Sequence, residues 1–136
     1  MWLPFFAKLF RRPSVNEVVD CAFRQDDREF AKSFYEMRKS KKYITVALGD
    51  GCHGLDKDSF FESAFFHFIL PPVRMRSGKD WAIGTDAEDE MGTVVVNEDT
   101  GGIDYVYEGL HVPLADSFRE FIASLRAAGW QDNDST

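Results

Sequence analysis

The sequence predicts an α+β fold in which N-terminal helices precede a meander of antiparallel strands and one helix closes the chain. Three observations predict it. Apolar residues recur at helical spacing in residues 15–37 and again in 118–125. Between them, residues 81–107 alternate short β-branched or aromatic runs with Gly- and Asp-containing turns, the pattern of hairpins joined in series. Hydrophobic residues make up 44% of the 136 residues and include 13 Phe, which is enough apolar material for a core without metals or disulfides. Residues 1–130 are expected to form one domain and Gln131–Thr136 a flexible polar tail.

The elements follow in chain order. Ser14-Val15-Asn16-Glu17 reads as a capping box, with Val15, Val18, Val19 and Ala22 on one face of the helix behind it. Asp26-Asp27 opens a second helix. Phe30, Phe34 and Met37 form its buried stripe, and Arg38, Lys39, Lys41 and Lys42 lie in its last turn, where cations suit the helix dipole. Tyr43–Leu48 is a strand, ended by Gly49-Asp50-Gly51. Ser59-Phe60-Phe61-Glu62 reads as a second capping box. The following Phe61, Ala64, Phe65 and Phe68 fit a helix, while the same run to Leu70 also fits a buried strand; Pro71-Pro72 is expected to end either one. Trp81–Thr85, Met91–Asn97 and Ile103–Tyr107 are strands, joined by the charged loop Asp86–Glu90 and the turn Glu98–Gly102. Ser117-Phe118-Arg119-Glu120 is a third capping box, with Phe118, Phe121, Ile122 and Leu125 on the apolar face behind it. Gly129 stands at the C′ position and Trp130 is placed to fold back on Leu125 in a Schellman arrangement.

The net charge of −7 is unevenly divided. Residues 1–42 carry ten Lys/Arg against six Asp/Glu, whereas residues 43–136 carry six against seventeen. An acidic body argues against DNA or RNA as partner and suits a basic protein. Two cysteines, Cys21 and Cys52, make no disulfide framework. The basic residues Lys8, Arg11 and Arg12 follow the N-terminal apolar run instead of preceding it, unlike a secretory signal, and no stretch approaches a membrane span. The expectation is a cytoplasmic protein with reduced thiols.

Several groups invite chemistry. Cys52-His53 pairs a nucleophile with a base, but neighbours in a turn rarely face each other and no oxyanion-hole pattern accompanies them. His53, His67 and His111 lack the paired spacing of zinc ligands, and Asp86, Glu88 and Glu90 lack the glycine and terminal glutamate of a calcium loop. Gly49-Asp50-Gly51-Cys52-His53-Gly54 spells Gly-x-Gly-x-x-Gly, yet Asp50 puts negative charge where a phosphate would sit. No catalytic residue, metal or cofactor is expected, and the protein is not expected to be an enzyme. Trp2, Leu3, Phe5, Phe6, Leu9 and Phe10 give the segment Trp2–Phe10 a surface that could meet an anionic membrane, or pack on the domain. The strongest binding candidate is acidic. Asp86, Glu88, Asp89 and Glu90, with Glu98, Asp99, Asp104 and Glu108 on neighbouring turns and strands, are expected to form one or two negative patches for a partner.

Trp81-Ala82-Ile83-Gly84-Thr85-Asp86, Gly92 to Val96, Asp99-Thr100-Gly101, Val106-Tyr107 and Leu114 to Ile122 together resemble the C-terminal core of the SUKH superfamily. That superfamily includes a yeast cell-wall-assembly regulator and many bacterial immunity proteins. The resemblance covers residues 81–125 and implies a curved antiparallel sheet with helices packed around it. It implies a protein without catalytic residues that neutralises a cognate toxin, often a nuclease, by direct binding. The alternative is a regulatory or scaffold module of the same fold, close to a membrane through its N-terminal segment.

Overall fold

The computed structural model describes residues 14–42, 44–76, 78–88 and 91–131. The segment Trp2–Phe10, the loop residues Asp89 and Glu90, and most of the C-terminal tail lie outside the described residues, and so do the expectations placed on them.

The fold is α+β: helices α1 (Val15–Ala22), α2 (Gln25–Glu36), α3 (Lys57–Ser63) and α4 (Phe118–Ala127) accompany strands β1 (Ile44–Ala47), β2 (Phe65–Arg74), β3 (Asp80–Asp86), β4 (Thr93–Asn97), β5 (Ile103–Tyr107) and β6 (Leu110–Ala115). The strands make one curved, unclosed sheet in the order β1-β2-β3-β4-β5-β6, every neighbouring pair antiparallel. A meander of this kind arises when each strand is followed by a turn too short to cross over. It also sorts the connections by end. The β1–α3 loop, the β3–β4 loop and the β5–β6 turn share one end of the sheet; the β2–β3 and β4–β5 connections share the other.

One face of the sheet carries the core. Phe66, Phe68, Val94, Val96, Ile103, Tyr105 and Leu114 on the strands pack with Val18, Val19, Ala22, Phe34, Tyr35, Phe118, Phe121, Ile122 and Leu125 from the helices. Phe118 is the hub, its ring centroid 5.0 Å from Phe23, 5.2 Å from Phe34 and 6.0 Å from Tyr35. Phe121 reaches across to Phe66 at 6.2 Å and Phe68 at 6.4 Å. Each such side chain contributes roughly 1.5–3 kcal/mol by leaving water, so the aromatic content of the sequence becomes the main force joining α4 to the sheet.

Two helix ends follow the local rules that the sequence predicts. Ser14 accepts from the Glu17 amide at 3.2 Å and the Glu17 carboxylate accepts from the Ser14 amide at 3.3 Å, a complete capping box. At the far end of α4, Gly129 (φ +115°) donates to Arg126 O and Trp130 donates to Leu125 O, the paired bonds of a Schellman motif, and the Trp130 indole is buried. The third capping box is half formed. Ser117 accepts from the Glu120 amide, but the Glu120 carboxylate takes the Asp116 amide in place of that of Ser117. Asp27 of α2 completes the cap from a distance: its buried carboxylate accepts from the amides of Phe118 at 2.6 Å and Arg119 at 3.3 Å.

Three expectations are corrected, and a fourth point adds a strand. First, α2 ends at Glu36, so the basic cluster Arg38–Lys42 lies beyond its last turn; Met37 is exposed and Arg38 is buried, its guanidinium 4.0 Å from the Phe34 ring and donating to Phe34 O. The buried stripe runs Asp27, Ala31, Phe34, Tyr35. Second, α3 starts earlier than Ser59, because Asp56 is its N-cap and accepts from the Ser59 amide at 2.8 Å; the Phe run from Phe65 is strand β2. Third, Pro71-Pro72 does not end β2. β1 pairs only with Phe65–Phe68, so the prolines occupy a stretch that has lost its β1 neighbour and whose register with β3 shifts, where a missing amide hydrogen leaves no ladder bond unmade. Fourth, β6 is a strand that the sequence pattern does not announce. Pro113 and the exposed Leu110 and His111 blur its alternation; Val112 and Leu114 are its buried residues.

Candidate functional site

The predicted acidic residues divide between the two ends of the sheet. Glu98 and Asp99 lie on the β4–β5 turn, among cations. The Glu98 carboxylate accepts from the Trp81 indole N–H at 2.9 Å and pairs with Arg74 at 3.0 Å, while Lys79 stands 4.0 Å from it and 3.7 Å from Asp99. Arg24 donates to the Asp99 carbonyl. The indole hydrogen bond, helped by Arg74 and Lys79, holds the Glu98 carboxyl below its ordinary range. This end is charge-balanced. Asp104 is placed on the sheet face away from the core, opposite Val95 and Pro113, where it pairs with His111 at 3.3 Å.

The other end differs. Asp86 closes β3 and Glu88 follows it in the loop; Glu108 occupies the β5–β6 turn in a left-handed conformation (φ +50°) beside Gly109. Asp50 joins them from the β1–α3 loop, a residue that sequence reasoning treats only as an obstacle to phosphate. Two adjoining depressions open here. A recess of ≈ 80 Å³ is lined by Asp50, Gly51, Cys52, Phe65, Asp86 and Glu88. A cleft of ≈ 250 Å³ is lined by Gly51, His53, Leu55, Asp86, Tyr105 and Tyr107. Among the described residues, neither lining includes a Lys or Arg.

Asp86 lies between the two, and its position is set by the sheet. Its Oδ2 accepts from the Tyr105 hydroxyl at 2.6 Å and from the Gly92 amide at 3.1 Å. The approach is so close that a Cβ on residue 92 would collide with both Tyr105 and Asp86, so glycine is required there. Tyr105 and Tyr107 are alternate residues of β5 with near-parallel rings 6.5 Å apart; Tyr105 is buried and Tyr107 partly buried.

The other chemical candidates resolve into loop structure. Amides of the Gly-x-Gly-x-x-Gly run are consumed within the chain: Gly49 donates to Ala64 O, Gly51 to Ser63 O, Cys52 to the Asp50 carboxylate and Gly54 to Ser59 Oγ. They are not turned outward as a phosphate cradle. His53 packs edge-on against Phe60 at 5.2 Å and Tyr105 at 4.8 Å, while Cys52 is exposed. Cys21 is also exposed, and both thiols are free. His67 shares a hydrogen bond with Thr45 on the far face. Among the described residues no group of three or more His, Cys, Asp or Glu is placed to hold a metal ion, and no helix is long and apolar enough to cross a membrane.

Three exposed apolar side chains also stand at the acidic end: Leu55 beside the cleft, Met91 in the β3–β4 loop and Leu110, which faces Tyr107 across the β5–β6 turn. Sequence reasoning misses this apolar component, because isolated Leu and Met in loops carry no periodic signal. A separate apolar groove of ≈ 460 Å³ runs along α1 between Val18, Cys21, Pro71, Pro72 and Trp81.

No family model, no curated protein and no solved structure matches this chain.

Proposed function

We propose that this protein is an immunity-type binding protein, akin to those of the SUKH superfamily, that neutralises a basic toxin by occupying its surface in the cytoplasm. The observation that carries the reading is the composition of one end of the sheet. Asp50, Asp86, Glu88 and Glu108 are gathered there with no Lys or Arg among the described lining residues, beside exposed Leu55, Met91 and Leu110. Opposite charge raises the encounter rate with a basic partner, and a few desolvated apolar or aromatic anchors supply most of the affinity. The α+β architecture also agrees with what the resemblance of residues 81–125 implies. Catalysis has no part in this reading: inhibition follows from occupancy of the toxin.

Co-expression tests it. The tagged full chain is used to capture its partner, and the partner's gene is then expressed alone and together with this protein. Growth arrest by the partner alone, relieved by co-expression and restored when Glu88 and Glu108 are changed to Lys, is the expected result. A partner that is harmless alone, or rescue that survives the charge reversal at full strength, refutes the reading.

A further inference from the structure

We propose that the cleft between Tyr107, Leu55 and Asp86 is a seat for one arginine side chain of a protein partner, an inference that rests on the binding function above and names its anchor. Asp86 is held asymmetrically. Its Oδ2 is bound by two donors, the Tyr105 hydroxyl and the Gly92 amide, whereas Oδ1 accepts no hydrogen bond among the described residues. The carboxylate is therefore fixed in place with one acceptor still open, on the wall shared by the cleft and the recess. A fixed carboxylate binds a cation with little further loss of side-chain entropy.

Shape points the same way. At ≈ 250 Å³ the cleft is smaller than the roughly 300–1,000 Å³ of small-molecule sites, and suits a single long side chain. The walls have the matching chemistry. Tyr107 offers the open part of a partly buried ring and Leu55 an exposed aliphatic side chain, surfaces on which a planar guanidinium and its methylene stem both pack. An ammonium is more strongly hydrated and gains less from such walls, so arginine is favoured over lysine. Asp50 and Glu88 in the adjoining recess add negative potential, and no Lys or Arg stands among the described lining residues.

The test is a titration of the full chain with blocked arginine (N-acetyl-arginine amide), followed by ¹H–¹⁵N correlation spectra. Blocked citrulline, which has the same shape without the charge, and blocked lysine are the comparison probes. The expected result is saturable shifts of the Gly51, Leu55, Asp86 and Tyr107 amides with millimolar affinity for arginine, weaker shifts with lysine and none with citrulline. Asp86→Asn and Tyr107→Leu should each weaken arginine binding by about tenfold, the loss of one charge-assisted or stacked contact. Glu98→Gln at the opposite end should leave it unchanged. Equal shifts with citrulline, shifts confined to other regions, or no shift for arginine overturns the proposal, and none of these outcomes depends on a variant that folds poorly. The two proposals fail separately. Arginine binding without a toxic partner sinks only the immunity reading, while a toxic partner whose footprint leaves this cleft solvent-exposed sinks only the arginine seat.

Discussion

Asp27 is the residue whose loss should most clearly separate local from tertiary control of this fold. Its carboxylate, buried between α2 and α4, accepts from the Phe118 amide at 2.6 Å and the Arg119 amide at 3.3 Å. Asp27→Ala removes a charged cap from the N-terminus of α4, worth about 1 kcal/mol. It also strands the buried Phe118 amide, which costs about 1–3 kcal/mol more. The expected total is about 2–4 kcal/mol, a large share of the roughly 5–15 kcal/mol that holds a domain folded. With a urea slope of about 1.5 kcal/mol per molar, the unfolding midpoint should fall by about 1.3–2.7 M. Two further variants serve as comparisons. Ser117→Ala, which removes the exposed local cap on the Glu120 amide, should cost only about 1 kcal/mol. Asp27→Asn keeps an acceptor and loses the charge opposite the helix dipole, about 0.5–1 kcal/mol. The assay is equilibrium urea unfolding at neutral pH, followed by both tryptophan fluorescence and far-ultraviolet circular dichroism. If Asp27→Ala proves no more damaging than Ser117→Ala, the long-range cap is not what holds α4 in place.

The Tyr35 hydroxyl is fully buried without a hydrogen-bond partner among the described residues, and burial pushes its pKa far up; Tyr35→Phe should therefore be neutral or stabilising by up to about 1 kcal/mol, with a loss of more than that by urea unfolding showing an unrecognised partner. Because the Glu98 carboxyl is held below its ordinary range, the stability it contributes is present above its unfolded pKa and is lost as pH falls through the folded value. Glu98→Gln should thus lower the urea midpoint at pH 7, and the two midpoints should converge as the pH falls below the ordinary glutamate range; a constant gap would count against the linkage. Gly92→Ala should disrupt the Asp86–Tyr105 contact at roughly 2 kcal/mol or more, visible as lost hydrogen-exchange protection in the β3–β4 hairpin, and normal protection there would contradict the close approach. In partner binding, Glu88→Lys with Glu108→Lys should slow association tenfold or more at low salt, roughly the scale of electrostatic steering, whereas Asp99→Lys at the balanced end should change it little; equal effects would place the interface elsewhere.

Features specified within four or five residues were legible in the sequence. The capping box at Ser14 and Glu17 and the Schellman end at Gly129 and Trp130 are hydrogen-bond patterns between near neighbours. The apolar face of α4 and the strands on either side of the Glu98–Gly102 turn follow from periodicity and turn chemistry. What depended on residues distant in the chain was not legible. The Phe run from Phe60 to Phe68 satisfies helix and strand patterns alike, and packing against Phe121 and pairing with β1 and β3 decide where α3 stops and β2 begins. Pro71-Pro72 lies past the last β1–β2 pair and within the register shift against β3. At the candidate site, the sequence supplied the acidic residues but not their partition. Antiparallel register carries Glu98 and Asp99 to an end furnished with Arg74 and Lys79, and Asp86 and Glu108 to an end where Asp50 and Leu55 arrive from a different loop. Composition states how much charge the chain carries. Only the strand order and register decide which charges are brought among cations and which gather at the end whose described lining holds no Lys or Arg.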